Sequence, residues 1–384
     1  MDPNDAFDTI VIGAGIAGAS LAWRLAAHGR TLLVEREDQP GYHTTGRSAA
    51  QYIASYGPPL VRALTIASRP FFSAPPAGFA TQPILTPRAM LTVSLPGQET
   101  LLDETWQTIH AAGGDCERIT AAAAIELVPV LRPDRVTGAV IERDSYDMDV
   151  DVLHQGFLRG LRRAGGTLAS RAEVTALARD GARWVVVAGG RRYSAAVVVN
   201  AAGAWCDRIA AMAGAKPIGL VPKRRAAMIF DPPPGVATDH WPLVAAADHS
   251  FYFKPDAGRL LGSPANEDET DPQDVQPEEL DIATAMYRIE ENTTMVVRPI
   301  RTWAGLRSFV GDGEMVAGFD ATLPGFFWCA GQGGYGIQTA PAMSEVCADL
   351  VLGRPIATEI ARLGVTAERL APGRCQAGAG PVDR

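Results

Sequence analysis

The run Asp8 to Gly18 reads DTIVIGAGIAG, an apolar segment followed by glycines at 13, 15 and 18. That spacing suits one kind of chemistry, the gripping of a pyrophosphate. Gly13 allows a tight turn, Gly15 lets backbone approach the anion, and Gly18 lets a helix lie close on a strand. The N–H groups around Ala14, Ile16 and Ala17 open that helix, at its positive end. A second apolar run, Thr31 to Val34, ends in Glu35 and Arg36. An acidic residue about 20 positions on is what ribose hydroxyls require. A carboxylate there opposes a 2′-phosphate, so the expectation is FAD or NAD rather than NADP.

Two later glycine turns repeat the pattern. Val197 to Asn200 leads into Ala201, Ala202 and Gly203, and Phe326 to Ala330 leads into Gly331, Gly333, Gly334 and Gly336. One ligand gripped at several strand ends would unite the three turns. Ordinary loop glycine is the alternative reading, since the chain has 39 glycines.

Positioning these turns requires alternating helices and strands. The pattern predicts a helix over 19–27, strands at 31–34 and 136–141, and helices over 99–112 and 151–164. Strands follow at 167–176, 183–188 and 191–200, then at 223–230, 250–254 and 259–261 for another sheet. Short strands at 314–319 and 326–330 precede a helix over 340–352. Ser48-Ala49-Ala50 is a candidate helix start, 70–90 reads as irregular, and the acidic stretch 266–281 reads as a solvated loop. The class is α/β, α+β overall.

At 384 residues the chain can hold two domains. A net charge of −8 opposes a nucleic-acid partner. Five cysteines without CxxC spacing give no metal site or disulfide framework, and suit a reducing cytoplasm. No leader pattern opens the chain, and no apolar run reaches the ~18 residues of a membrane span. Peripheral membrane contact stays open.

Taken together, GAGIAGAS, the segment from Glu35 to Ala50 (EREDQPGYHTTGRSAA), VNAAGAW from Val199 to Trp205, and AGQGGYGIQ from Ala330 to Gln338 resemble the FAD-dependent D-amino acid oxidase and dehydrogenase family, also called glycine/sarcosine oxidase-like. Within it, Gly41-Tyr42-His43, Pro222 to Arg225, Phe251-Tyr252 and Trp303 to Phe309 are similar to the bacterial D-arginine dehydrogenase branch. The resemblance implies a Rossmann-like FAD-binding domain of 1–90, 146–216 and 303–384. It implies a substrate domain of 91–145 and 217–302 on a mixed, largely antiparallel sheet, with the flavin between them.

By position, the resemblance assigns Gly13 to Gly18 to the pyrophosphate and Glu35 and Arg36 to the adenosine end. Thr44, Thr45, Gly46, Arg47, Ser48, Ala49, Ala50 and Gln51 line the cofactor path, and Val174 meets adenine. Asn200, Ala201, Gly203 and Trp205 belong to the second turn. Gly331, Gly333, Gly334, Tyr335, Gly336, Ile337 and Gln338 hold the flavin ring and ribityl chain. Some relatives attach flavin through a cysteine near the Arg307 segment. None lies between Trp303 and Gly325, so noncovalent FAD is expected. Cys329 reads as core packing.

An α-amino acid substrate brings a carboxylate, and a guanidinium offers it two parallel N–H bonds. Arg307, among Trp303, Leu306 and Phe309, and Arg225, entering an apolar strand, are the candidates; a structural ion pair is the alternative for each. Tyr252 alternates with Phe251 and Phe253 and could donate a third bond. Tyr56 resembles a loop tyrosine that closes over substrate, though a plain loop aromatic reads the same. Gly334 would adjoin the reacting centre. Three residues depart from the D-arginine branch: Met90 stands in place of a Glu, Gln51 of a His and Ile53 of a Thr. The expectation is therefore oxidative deamination of D-amino acids with neutral or apolar side chains, electrons passing to a quinone, another acceptor or oxygen. A secondary-amine (sarcosine/glycine-type) oxidase and a non-catalytic flavin-binding protein are the alternatives.

Overall fold

The structure is a computed structural model that describes residues 5–376. Two large sheets organise it. The first is built on β1 (Ala6–Ile12), flanked in parallel by β2 (Thr31–Val34) and by the strand Arg191–Asn200. Phe326–Ala330 and Thr167–Ala169 extend it on either side. The central parts of these strands are apolar because both faces are covered there. Val11, Leu33, Val199 and Phe327 pack with α1 (Ile16–Ala26) and the helix Gly336–Val351. On the other face Ile10, Leu32 and Val198 pack with Cys206 and Ile209 of the helix Cys206–Ala213.

The β1–α1 turn shows why glycine is required there. Gly13 has φ +98°, and a Cβ on it would lie 2.6 Å from the Ala201 carbonyl oxygen. A Cβ on Gly18 would lie 1.8 Å from the Gly13 carbonyl oxygen, so α1 rests directly on the turn.

The second sheet is mixed and largely antiparallel. Its longest pairing joins Val221–Phe230 to Pro299–Phe309, from Val221 opposite Phe309 to Phe230 opposite Pro299. Tyr252–Asp256, Arg259–Ser263 and Leu243–Ala246 follow, then Met90–Ser94 and Gly138–Glu142. A third, small sheet joins Gln51–Tyr52, Tyr146–Met148 and Leu85–Pro87.

Several expectations need correction. Ser48-Ala49-Ala50 opens no helix; a single 3₁₀ turn, Thr45–Arg47, precedes it. The threonines just before it are spent on distant ties, Thr44 Oγ1 donating to the Leu306 carbonyl and Thr45 Oγ1 accepting from Ile16 N–H. The irregular 70–90 segment begins inside the helix Pro59–Ser73, whose buried face is Leu60, Leu64 and Phe72. The strand expected at 136–141 is Gly138–Glu142, and its last residue is buried. The domain cut set at 303 falls inside the strand Pro299–Phe309, which pairs along its length with Val221–Phe230.

The stretch 266–281 is largely an exposed loop, as expected, but several of its acids are not free. Asp281 is buried and, with Glu278, forms a capping box for the helix Glu279–Asn292. Both carboxylates also bond Arg224. The basic run 223–225 supplies the partners that composition alone could not reveal.

Candidate active site

A long cavity runs between the two sheets, and the three glycine turns form one of its walls. At the first turn, Gly15 caps α1 with no side-chain bond of its own. Ile16 N–H donates to Thr45 Oγ1 at 3.0 Å, and Ala14 N–H donates to Glu35 Oε2 at 2.8 Å. Glu35 is buried, and its Oε1 accepts from Glu37 N–H at 3.0 Å. Each of its oxygens keeps a lone pair for a further donor.

Beside Glu35, the Arg36 guanidinium lies 4.5 Å from the Trp205 ring. The His43 ring packs on the same indole at 4.6 Å, with Nε2 2.9 Å from Glu37 Oε1. His43 lines the cavity, and its buried Nδ1 has no partner among the described residues. Ala172, Glu173 and Val174 complete this end. Bare backbone, a buried ribose-type carboxylate and an orphaned ring nitrogen fit a dinucleotide.

The opposite wall is made of side chains on the paired strands Val221–Phe230 and Pro299–Phe309. Lys223 faces Arg307 and Arg225 faces Gly305 in register. Cross-strand partners share a face and successive residues alternate, so 223, 225, 305 and 307 form one face while 224 and 306 form the other. Arg225, Tyr252, Gly305 and Arg307 line the cavity. Arg224, on the far face, is ion-paired with Asp281, Glu278 and Asp268.

Arg307 is different. It donates from Nη1 to the Tyr56 hydroxyl at 3.1 Å and has no carboxylate partner among the described residues. Burial opposes its charge, but the hydroxyls of Tyr56 and Tyr252 outweigh burial and raise its pKa. In return, Arg307 and then Arg225 pull the buried Tyr56 hydroxyl below its ordinary value, against burial. Tyr56 packs on Tyr335 at 5.0 Å, and burial with Tyr56 beside it raises the Tyr335 hydroxyl. Over this group lies the third turn: a Cβ on Gly334 would come within 2.7 Å of Arg307 Nη1, and one on Gly333 within 2.5 Å of the Phe309 ring.

Arg225 is held by the protein. Its Nε donates to the Asn266 carbonyl at 2.7 Å and its Nη2 to Glu267 Oε1 at 3.0 Å. Burial, and then repulsion from Arg307, lower its pKa.

Among the other expected residues, Gly13, Gly15, Ile16, Ala17, Thr44, Ser48, Ala49, Ala201, Gly203, Gly336 and Ile337 line the cavity. Arg47 does too, but its guanidinium is committed to Asp274 and to the carbonyls of Val275 and Ala304. Gly18, Gly46, Ala50, Gly331 and Tyr335 are not among the residues that line the cavity. Asn200 is wholly buried and donates to the Cys206 carbonyl. Gln338 accepts from Ile53 N–H and donates to Thr65, pinning the segment before Tyr56. Gln51 donates to the Arg88 carbonyl, and its Oε1 is buried without a partner. Met90 lies off the cavity lining, opposite Glu142 in the second sheet. Cys329 is core, 3.9 Å from Cys347.

Sequence reasoning missed Glu142. It is 2% exposed, accepts from Ser55 Oγ at 2.8 Å, and leaves Oε1 without a partner among the described residues. Burial pushes its carboxyl up to about 7. The available signal was an acid ending an apolar strand-like run, GAVIE. The acids at 267, 278 and 281 were also missed, for want of any signal linking them to the cations 223–225.

A family model described as FAD dependent oxidoreductase matches residues 8–350. Glycine oxidase of Bacillus licheniformis is 26% identical over 376 residues, covering 92% of this chain and 95% of that protein. Among solved structures, L-proline dehydrogenase from P. horikoshii superposes with TM-score 0.83 at 21% identity, covering 97% and 98% of the two chains. Iminodiacetate oxidase from Chelativorans sp. BNC1 gives 0.79 at 22%, covering 95% and 98%. No helix among the described residues is long and apolar enough to cross a membrane.

Proposed function

The chain belongs to the family of FAD-dependent oxidoreductases, and from that premise we propose that it oxidises the Cα–N bond of D-amino acids with neutral or apolar side chains. FAD bound in the cavity supplies the two-electron acceptor for a hydride from Cα. The chain holds the rest. Glu35, His43 and the first two glycine turns would hold the adenosine and pyrophosphate end. The turn from Gly331 to Gly336 would hold the ring noncovalently.

The observation that carries the reading is Arg307: a buried guanidinium on the cavity wall, under a glycine turn, with a tyrosine hydroxyl and no acid. A buried cation of this kind calls for an anionic ligand. A carboxylate clamped there, with Tyr252 and Tyr56 within the same group, fixes the substrate's Cα relative to the turn that holds the flavin ring. Loss of the hydride turns Cα–N into an imine, which water hydrolyses to a 2-oxo acid and ammonia. Neither histidine nor carboxylate stands beside Arg307 in the lining, so the amine gives its proton to solvent beforehand. Rates should rise with pH until the amine is neutral. The acid nearest the clamp, Glu267, is already paired with Arg225 and Lys223, which favours neutral side chains over basic ones. The electron acceptor is taken to be a quinone, a similar carrier or oxygen, and the site of action the cytoplasm.

A second reading, a glycine- or secondary-amine-type oxidase, is supported by the names of the relatives, which include a glycine oxidase and a proline dehydrogenase. It uses the same clamp. Anaerobic mixing with D- and L-amino acids, glycine and sarcosine, following the loss of flavin absorbance, separates the two. Bleaching by D-leucine or D-methionine ahead of D-arginine and sarcosine is the expected result. Bleaching by sarcosine alone installs the second reading.

A further inference from the structure

The two arginines of the clamp are not equivalent. Only Nη1 of Arg307 has a partner among the described residues, the Tyr56 hydroxyl. Arg225 has spent its Nε–Nη2 edge, one of the two with which a guanidinium forks a carboxylate, on the Asn266 carbonyl and on Glu267. Glu267 does more than cap Arg225. Its other oxygen, Oε2, accepts from Lys223 Nζ at 3.3 Å, so one carboxylate spans two cations of the face that carries Arg307.

The segment bearing Glu267 is fastened for this task. Asn266 Oδ1 accepts from Ala226 N–H at 2.9 Å, and Ser263 Oγ donates to the Ala226 carbonyl at 2.6 Å. Ala265 between them has φ +53°, a left-handed conformation that a non-glycine residue adopts only under constraint. The loop therefore brings an acid of the chain itself to where a second substrate carboxylate would bind.

Resting on the carboxylate-clamp reading above, we propose that Glu267 is a specificity-determining positioning residue: it occupies Arg225 and Lys223 and so restricts the clamp to substrates with a single carboxylate. A dicarboxylate must compete with Glu267 for Arg225, whereas a monocarboxylate needs Arg307 alone. Removing Glu267 opens the second guanidinium.

The test uses the holoenzyme and two unreactive probes, propionate and succinate, titrated against the visible absorbance of the bound flavin. Wild type should bind propionate more tightly than succinate. In E267A that preference should fall about tenfold, by tighter succinate binding with propionate nearly unchanged. E267Q, which keeps the side-chain volume, decides the matter if E267A does not retain flavin. A preference within twofold of wild type overturns the assignment of Glu267 while leaving the clamp standing. Propionate binding that survives R307A unchanged defeats the clamp reading itself, and this proposal with it.

Discussion

The two walls of the cavity are made of different material. One is backbone: three glycine turns at strand ends, a helix start with no side-chain cap, and side chains such as Thr45 and Gln338 that brace the turns from behind. The other is charge: Lys223, Arg225 and Arg307 on one face of two antiparallel strands, with Arg224 turned away on the other. At its first turn the backbone wall has no room for an added atom, because Gly13 and Gly18 sit against main-chain carbonyls, whereas Gly333 and Gly334 sit against the side chains of Phe309 and Arg307. The charged wall is set by which cations the protein neutralises for itself. Arg224 has three acids, Arg225 shares one with Lys223, and Arg307 has none. Along this gradient, the wall passes from structural ion pair to open binding group.

The sharpest way to break the contrast is to put one methyl on the backbone wall. G18A places a Cβ 1.8 Å from the Gly13 carbonyl oxygen, so α1 must lift from its turn. Purified G18A is expected to carry less than about a tenth of the wild-type flavin per chain, read from the ratio of visible to ultraviolet absorbance. Full flavin content would mean that the turn is not the cradle. R307A comes next and should do the converse. It keeps its flavin but loses about 3–5 kcal/mol of carboxylate binding, roughly a hundredfold or more in kcat/KM. An unchanged KM would remove Arg307 from the site.

The same division explains what could be read from the sequence. Glycine spacing after an apolar run is a local signal, so β1, its turn, α1 and Glu35 were legible within 30 residues. The alternation of Phe251, Tyr252 and Phe253 was local too: both phenylalanines are wholly buried and Tyr252 reaches the cavity. Ion pairing carries no such signal. Arg224 meets Asp281 and Arg225 meets Glu267 only because a hairpin and a helix fold the acidic stretch back on the strand. Read alone, that stretch has the composition of a solvated loop. Met90 was legible as a residue but not as a position, since its distance from the cavity depends on strand order in the second sheet. Glu142 was hidden by a strand end set one residue short.

Glu142, off the cavity lining, gives a smaller effect, one that pH controls. Its carboxyl rises from an ordinary 4.5 to about 7 in the folded chain, through burial. A folded state that keeps a proton the unfolded chain has released is stabilised by acid. The contribution is fully present below pH about 4.5 and lost as pH climbs to about 7, at most about 3 kcal/mol. The melting temperature of wild type should therefore fall more steeply between pH 5 and 8 than that of E142Q, whose amide does not titrate. Parallel profiles would mean that the carboxyl is ionised in place, paired with a donor other than Ser55.

The mildest change tests whether Arg307 is open or merely tied to its neighbour. Tyr56 contributes one hydrogen bond, accepted from Nη1 at 3.1 Å, and a ring against Tyr335. Y56F keeps the ring and deletes the acceptor. If Arg307 exists to hold Tyr56, losing that oxygen strands a buried charge, and the thermal stability of the free enzyme drops. If Arg307 is held ready for a carboxylate, the hydroxyl only orients it. The cost then is about 1 kcal/mol, seen as a roughly fivefold rise in KM with kcat and melting temperature little moved. The second pattern is expected, because Arg307 already stands without an acid among the described residues, and Tyr252 remains beside it when the Tyr56 oxygen is gone. A fall in stability with KM unchanged would place Arg307 with Arg224, as a cation that the fold keeps for itself.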